Sequence, residues 1–200
     1  RKKTIQACEE AIQKRFPDFQ VHRAFTSNVV IKRIKENEGI TVPTVNQLLE
    51  QLKKDGVKEV YIQPLHVILG SEYEKVLHQA NQLKHEFDIL KIGKPLLFSE
   101  KDYENVANIL VKEYNNNDAD EATILMGHGS QHYAFTAYAA LDHMLMKTPV
   151  YIGCVESYPP VEDLEKRLEA KGVKKVHLAP FMLVAGDHAT NDLCSDEEGS

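Results

Sequence analysis

Three observations predict an α/β fold made of two similar halves. Apolar runs with strand character alternate along the chain with segments of helical period. A stretch of thirty residues recurs 116 positions downstream. Polar segments containing glycine follow several of the strand runs, as they do at the ligand-binding edge of parallel sheets. The strand-like runs are 20–25, 57–62, 89–92, 122–126, 150–155 and 173–178, and the helical segments are 4–15, 45–54, 72–87, 103–114, 133–146 and 161–170. In 45–54, Val45, Leu48, Leu49 and Leu52 fall on one face, and Gly56 follows as a C-terminal stop. Strands alternating with helices give βαβ units and a mainly parallel sheet flanked by helices.

The repeat lays 43–72 over 159–188 without a gap, and ten of the thirty positions are identical. The stretch GVKEVYIQPLHVILGSE returns as GVKKVHLAPFMLVAGDH, with Pro64/Pro180 and Gly70/Gly186 in step. Any two αβ units share some of this grammar, but Pro and Gly matching at several spaced points favour a duplication. The expected halves are residues 1–118 and 119–200, facing a central cleft across a pseudo-twofold. The second half opens on a strand that the first lacks, and the first continues past the point where the second stops. The expectation is a chain missing a first strand at one end and a final helix and strand at the other.

Composition narrows the functional classes. With 30 acidic against 24 basic side chains the net charge is −6, which argues against nucleic acid or an anionic membrane as a partner. No apolar run is long enough to span a bilayer. Cys8, Cys154 and Cys194 form neither a CxxC pair nor a disulfide framework, which suits a reducing compartment. A cytoplasmic protein is expected, with an export signal upstream of Arg1 left open; a homo-oligomer is also left open.

Three polar residues follow strand runs: His128 in Gly127-His128-Gly129-Ser130, Glu72 after Gly70-Ser71, and His188 after Gly186-Asp187. Glu72 and His188 occupy equivalent repeat positions. Imidazole with carboxylate suits Co²⁺, Fe²⁺, Ni²⁺ or Zn²⁺, and a neutral imidazole also accepts a proton near pH 7. Each residue alone has a plainer reading, as a loop or capping histidine or as a first-turn acid favoured by the helix dipole. Ser130 and His132 extend the glycine-flanked loop, Met182 lies in an apolar stretch of core or pocket wall, and Arg23 ends a strand run where it would meet a carboxylate or a surface ion pair.

The stretches RAFTS (23–27), GSEYEKV (70–76), MGHGS (126–130), AYAALDHM (137–144), VESYPPV (155–161) and MLVAGDHATND (182–192) resemble the anaerobic cobalt chelatases of the cobalamin pathway, the CbiK type. Together they span nearly the whole chain. The resemblance implies a fold related to ferrochelatase, with two α/β halves around a tetrapyrrole cleft. It also implies catalytic and metal-binding roles for His128, His188 and Glu72. The implied activity is insertion of Co²⁺ into sirohydrochlorin, with Fe²⁺ or Ni²⁺ insertion as the neighbouring alternative. No GxxxxGK[ST] phosphate loop occurs, so insertion without ATP is expected. A tetrapyrrole or metal carrier is the noncatalytic rival, and a hydrolase is disfavoured because no GxSxG elbow exists.

Overall fold

The computed structural model describes residues 2–115 and 118–183. The described residues divide into two compact units, Gln6–Pro95 and a second from Leu96 onward that takes in residues 2–5. Helices α1 (Lys2–Arg15), α2 (Asn28–Glu38) and α3 (Val45–Lys54) precede strand β1 (Glu59–Ile62), and α4 (Ser71–Gln82) links β1 to strand β2 (Ile89–Ile92). The later elements are α5 (Glu100–Tyr114), β3 (Glu121–Gly127), α6 (Thr136–Met144), β4 (Val150–Cys154), α7 (Val161–Ala170) and β5 (Lys175–Pro180). This is the expected α/β architecture of two parallel sheets flanked by helices.

In the Gln6–Pro95 unit, β1 pairs with β2 in parallel, Val60 opposite Leu90. Val45 and Leu49 of α3 and Val76 and Ala80 of α4 bury against this pair, forming one apolar cluster with Val60 and Leu90. In the second unit the order is β4-β3-β5, all parallel, so β3 is central. Every residue of β3 from Ala122 to Gly127 is buried, as expected of a strand covered on both faces. Leu164 and Leu168 of α7 pack on Ala122, Ile124 and Met126.

The repeat survives in three dimensions. Helix α7 coincides with α3 under the shift of 116, and β5 begins where β1 does. Both helices end in the same hydrogen-bonded stop. Val57 N–H donates to Leu52 O at 3.0 Å and Val173 N–H to Leu168 O at 3.1 Å. Gly56 and Gly172 supply the left-handed residue at φ 76° and 72°.

Two local expectations fail. The run 20–25 forms no strand; Phe25 makes only an isolated parallel bridge to Thr44. Helix α2 was not anticipated, because its Val-Val-Ile segment is β-branched and reads as strand-like. Its ends decide the matter: the Ser27 side chain accepts from Val30 N–H, and Gly39 closes the helix at φ 67°. Among the described residues, no helix is long and apolar enough to cross a membrane.

Candidate functional site

The second unit's site begins at the carboxyl ends of β3 and β4. Their ladder continues beyond the strands, with Val155 N–H donating to Gly127 O at 3.0 Å and Glu156 N–H to His128 O at 3.1 Å. This places His128 and Glu156 side by side, His128 Nδ1 lying 4.0 Å from Glu156 Oε2. Both side chains are half-exposed, at 50 % and 49 %. They are therefore open to a ligand while held at the backbone.

The glycines beside His128 are required by packing. A Cβ on Gly127 would lie 2.5 Å from the Tyr138 ring, and one on Gly129 would lie 2.9 Å from Ser157. His128 Nδ1 sits 3.1 Å from the Gly129 carbonyl oxygen. A carbonyl only accepts, so Nδ1 carries the ring proton and Nε2 carries the lone pair. That is the tautomer a metal ligand or proton acceptor needs.

His132 has the opposite tautomer. Its Nδ1 accepts from Ala134 N–H at 3.2 Å, which caps the 3₁₀ turn Tyr133–Phe135 and puts the proton on Nε2. Ser130 Oγ accepts from His132 N–H at 3.1 Å, so Ser130 shapes the loop. Met182 is half-buried next to Phe181, whose N–H donates to Met126 O at 2.7 Å beside the end of β3. Two neutral groups lie behind this edge. Burial pushes both the Tyr138 phenol and the Cys154 thiol up to about 12. Cys154 is thus a thiol rather than a thiolate ligand at neutral pH.

The Gln6–Pro95 unit carries Glu72 in the first turn of α4, capped by Gly70 in extended backbone. Lys75 Nζ pairs with Glu72 Oε1, while Glu72 Oε2 is buried without a hydrogen-bond partner. Burial pushes the Glu72 carboxyl up, but Lys75, the Thr26 hydroxyl and His66 outweigh it and hold the group below the usual range. His66, on the stretch after β1, has its Nδ1 buried and equally unpartnered. Burial lowers its pKa, against the opposing pull of Glu72. Arg23 is ion-paired: its Nε donates to Glu9 Oε1 at 2.6 Å and its Nη2 to Glu9 Oε2.

Of the residues expected from sequence, His128, Ser130, His132 and Met182 lie in the second unit, and Glu72 and Arg23 in the first. His188 lies outside the described residues. Sequence reasoning missed Glu156 and His66. Glu156 follows directly on the run 150–155, so the strand-end rule that selected His128 would have selected it too. His66 sits on the apolar stretch opposite Met182 in the repeat, where a packing role is the ordinary expectation.

The chain matches the family model described as Cobalt chelatase (CbiK) over residues 1–200. It belongs to that family. It is 43% identical over 200 residues to the sirohydrochlorin cobaltochelatase of Salmonella typhimurium strain LT2, covering 99% of this chain and 76% of that protein. It is 30% identical over 202 residues to the sirohydrochlorin cobaltochelatase CbiKC of Nitratidesulfovibrio vulgaris strain Hildenborough, covering 98% of this chain and 71% of the relative. Cobalt chelatases take the divalent ion as a substrate. Among the described residues, the ends of β3 and β4 bring an imidazole and a carboxylate together while Cys154 stays a neutral thiol, and nitrogen with oxygen is a donor set suited to Co²⁺.

Proposed function

We propose that this chain inserts Co²⁺ into sirohydrochlorin, and does so without ATP. Membership of the cobalt chelatase family and the names of both relatives support this reading. The structural observation that carries it is the His128–Glu156 pair, an imidazole whose protonated Nδ1 faces a carboxylate and whose Nε2 holds the lone pair, at the end of a buried strand.

Insertion replaces two pyrrole N–H protons by one divalent ion, so the reaction needs a proton acceptor and a place for the metal. His128 Nε2 accepts one pyrrole proton and the other leaves to solvent water, while Nδ1–H stays on the Gly129 carbonyl and fixes the ring. The resulting imidazolium is stabilised by the Glu156 carboxylate 4.0 Å from Nδ1. One lone pair cannot hold a metal and a proton together. His128 therefore serves the ion before transfer and the proton during it. Glu72 and His188 are assigned to metal handling on the family resemblance. Ser130, His132 and Met182 are assigned to the macrocycle, His132 through its Nε2–H as a donor to a side-chain carboxylate of the substrate.

The test is the visible absorbance of sirohydrochlorin mixed with the chain and Co²⁺, Fe²⁺ or Ni²⁺ in parallel. The reading expects acceleration over the spontaneous rate, greatest with Co²⁺ and independent of added ATP. A spontaneous rate with all three metals would refute it, and preference for another ion would move the assignment to that metal.

A further inference from the structure

We propose that His66 and Glu72 together form a two-ligand staging site that holds the divalent ion within the Gln6–Pro95 unit. The proposal rests on the chelatase reading and adds a ligand to it. Among the described residues, the buried side-chain polar atoms without a hydrogen-bond partner are His66 Nδ1 and Glu72 Oε2. Leaving buried polar atoms bare is destabilising, so a fold retains such atoms where a bound species satisfies them. The two orphans belong together. They lie six residues apart in sequence, His66 within the β1–α4 connection and Glu72 in the first turn of α4, and each side chain lies in the other's electrostatic field.

The donors match a borderline divalent ion. Imidazole nitrogen with carboxylate oxygen suits Co²⁺, whereas a hard ion such as Mg²⁺ selects oxygen alone. Lys75 occupies Glu72 Oε1 and so leaves Oε2 as the coordinating oxygen. Among the described residues, no three His, Cys, Asp or Glu side chains converge on one point. Two protein ligands completed by water hold an ion weakly. A substrate ion that must be surrendered requires just that, whereas a resident structural ion takes three or four protein ligands. The second copy of the repeat has Met182 and His188 at the equivalent positions, so only the first copy pairs histidine with carboxylate there.

The test measures Co²⁺ binding to the full chain by isothermal titration, without tetrapyrrole, in a His128→Ala background that removes the imidazole assigned to the ion in the second unit. The expected result is residual Co²⁺ binding that weakens by about tenfold or more on adding either His66→Ala or Glu72→Gln. His66→Asn keeps a polar group near the Nδ1 position and serves if His66→Ala lowers the melting midpoint; it should weaken Co²⁺ equally. Unchanged Co²⁺ affinity in a natively folded His66 variant would overturn the proposal, even where Glu72→Gln weakens the ion, because Glu72 is assigned to metal handling without His66. No macrocycle enters the measurement, so its failure is separable from that of the chelatase reading, which the absorbance assay decides.

Discussion

His128 and Glu156 are coupled twice, once through the backbone bond from Glu156 N–H to His128 O at 3.1 Å and once through space at 4.0 Å. Opposite unit charges at such a spacing attract by about 1 kcal/mol in water and about 4 kcal/mol at an effective dielectric near 20. The half-exposed positions place this pair toward the lower figure. His128→Ala removes the acceptor and should lower the insertion rate by about 10²–10⁴-fold. Tetrapyrrole binding, followed by quenching of macrocycle fluorescence, should persist. A noncatalytic carrier would show the reverse pattern.

Glu156→Gln keeps the shape and removes the charge. The imidazolium formed at His128 loses its counter-ion, so kcat for insertion should fall by about tenfold, in line with a Coulomb contribution near 1.4 kcal/mol. KM for the tetrapyrrole should change little, because the effect belongs to the charged state formed during proton transfer. A drop confined to KM would instead make Glu156 a substrate-binding residue.

Gly129→Ala probes the support of His128. Gly129 has φ 85°, and a Cβ there meets Ser157 at 2.9 Å. Gly56→Ala is the control, since Gly56 has φ 76° with nothing within 4 Å of the added atom. Both replacements carry the left-handed penalty of about 1–2 kcal/mol. Only Gly129→Ala adds a collision, and it should also slow insertion by moving the His128 loop. Equal melting midpoints and equal rates for the two variants would remove packing as the reason for glycine at 129.

Asp142 in α6 is buried, accepting from Ile152 N–H at 3.1 Å and pairing with Arg167 Nη1 at 2.7 Å. One carboxylate thus ties α6, β4 and α7 beneath the strand ends that carry the site. Asp142→Ala should destabilise the chain by about 3 kcal/mol in urea unfolding, since it strands a buried N–H and the guanidinium. Asp142→Asn retains an acceptor for Ile152 and should lose less.

Periodicity was most legible where helix stops and strand burial reinforced each other. Residues 45–54 and 161–170 match α3 and α7, because apolar spacing, a following glycine and the repeat agree there. The run 20–25 misled because apolar alternation alone does not supply a pairing partner. Helix α2 was hidden by β-branched residues whose preference its capping bonds override. At the site, the glycine flanks made His128 visible, as a close approach leaves its mark in sequence. Glu156 carries no such mark in a chain rich in glutamate, and its meaning comes from the β3–β4 register. The orphaned nitrogen of His66 is a property of burial, which an apolar sequence neighbourhood conceals.

The Arg23–Glu9 pair yields a pH signature and a test of substrate binding together. The Arg23 hydrogen bond, with its charge, outweighs burial and holds the Glu9 carboxyl below its ordinary value of 4.5. The unfolded chain therefore binds the proton more readily. The stabilisation is fully present above pH 4.5 and is lost as the pH falls through the folded-state value. Glu9→Gln should cost about 0.5–1 kcal/mol at pH 7, a deficit that closes on acidification once the carboxyl has protonated in the parent. The same variant releases the guanidinium. If Arg23 meets a carboxylate of the anionic macrocycle, Glu9→Gln should tighten tetrapyrrole binding and Arg23→Ala should weaken it. Titration of macrocycle fluorescence reads both, and identical affinities across parent and variants would confine Arg23 to its ion pair.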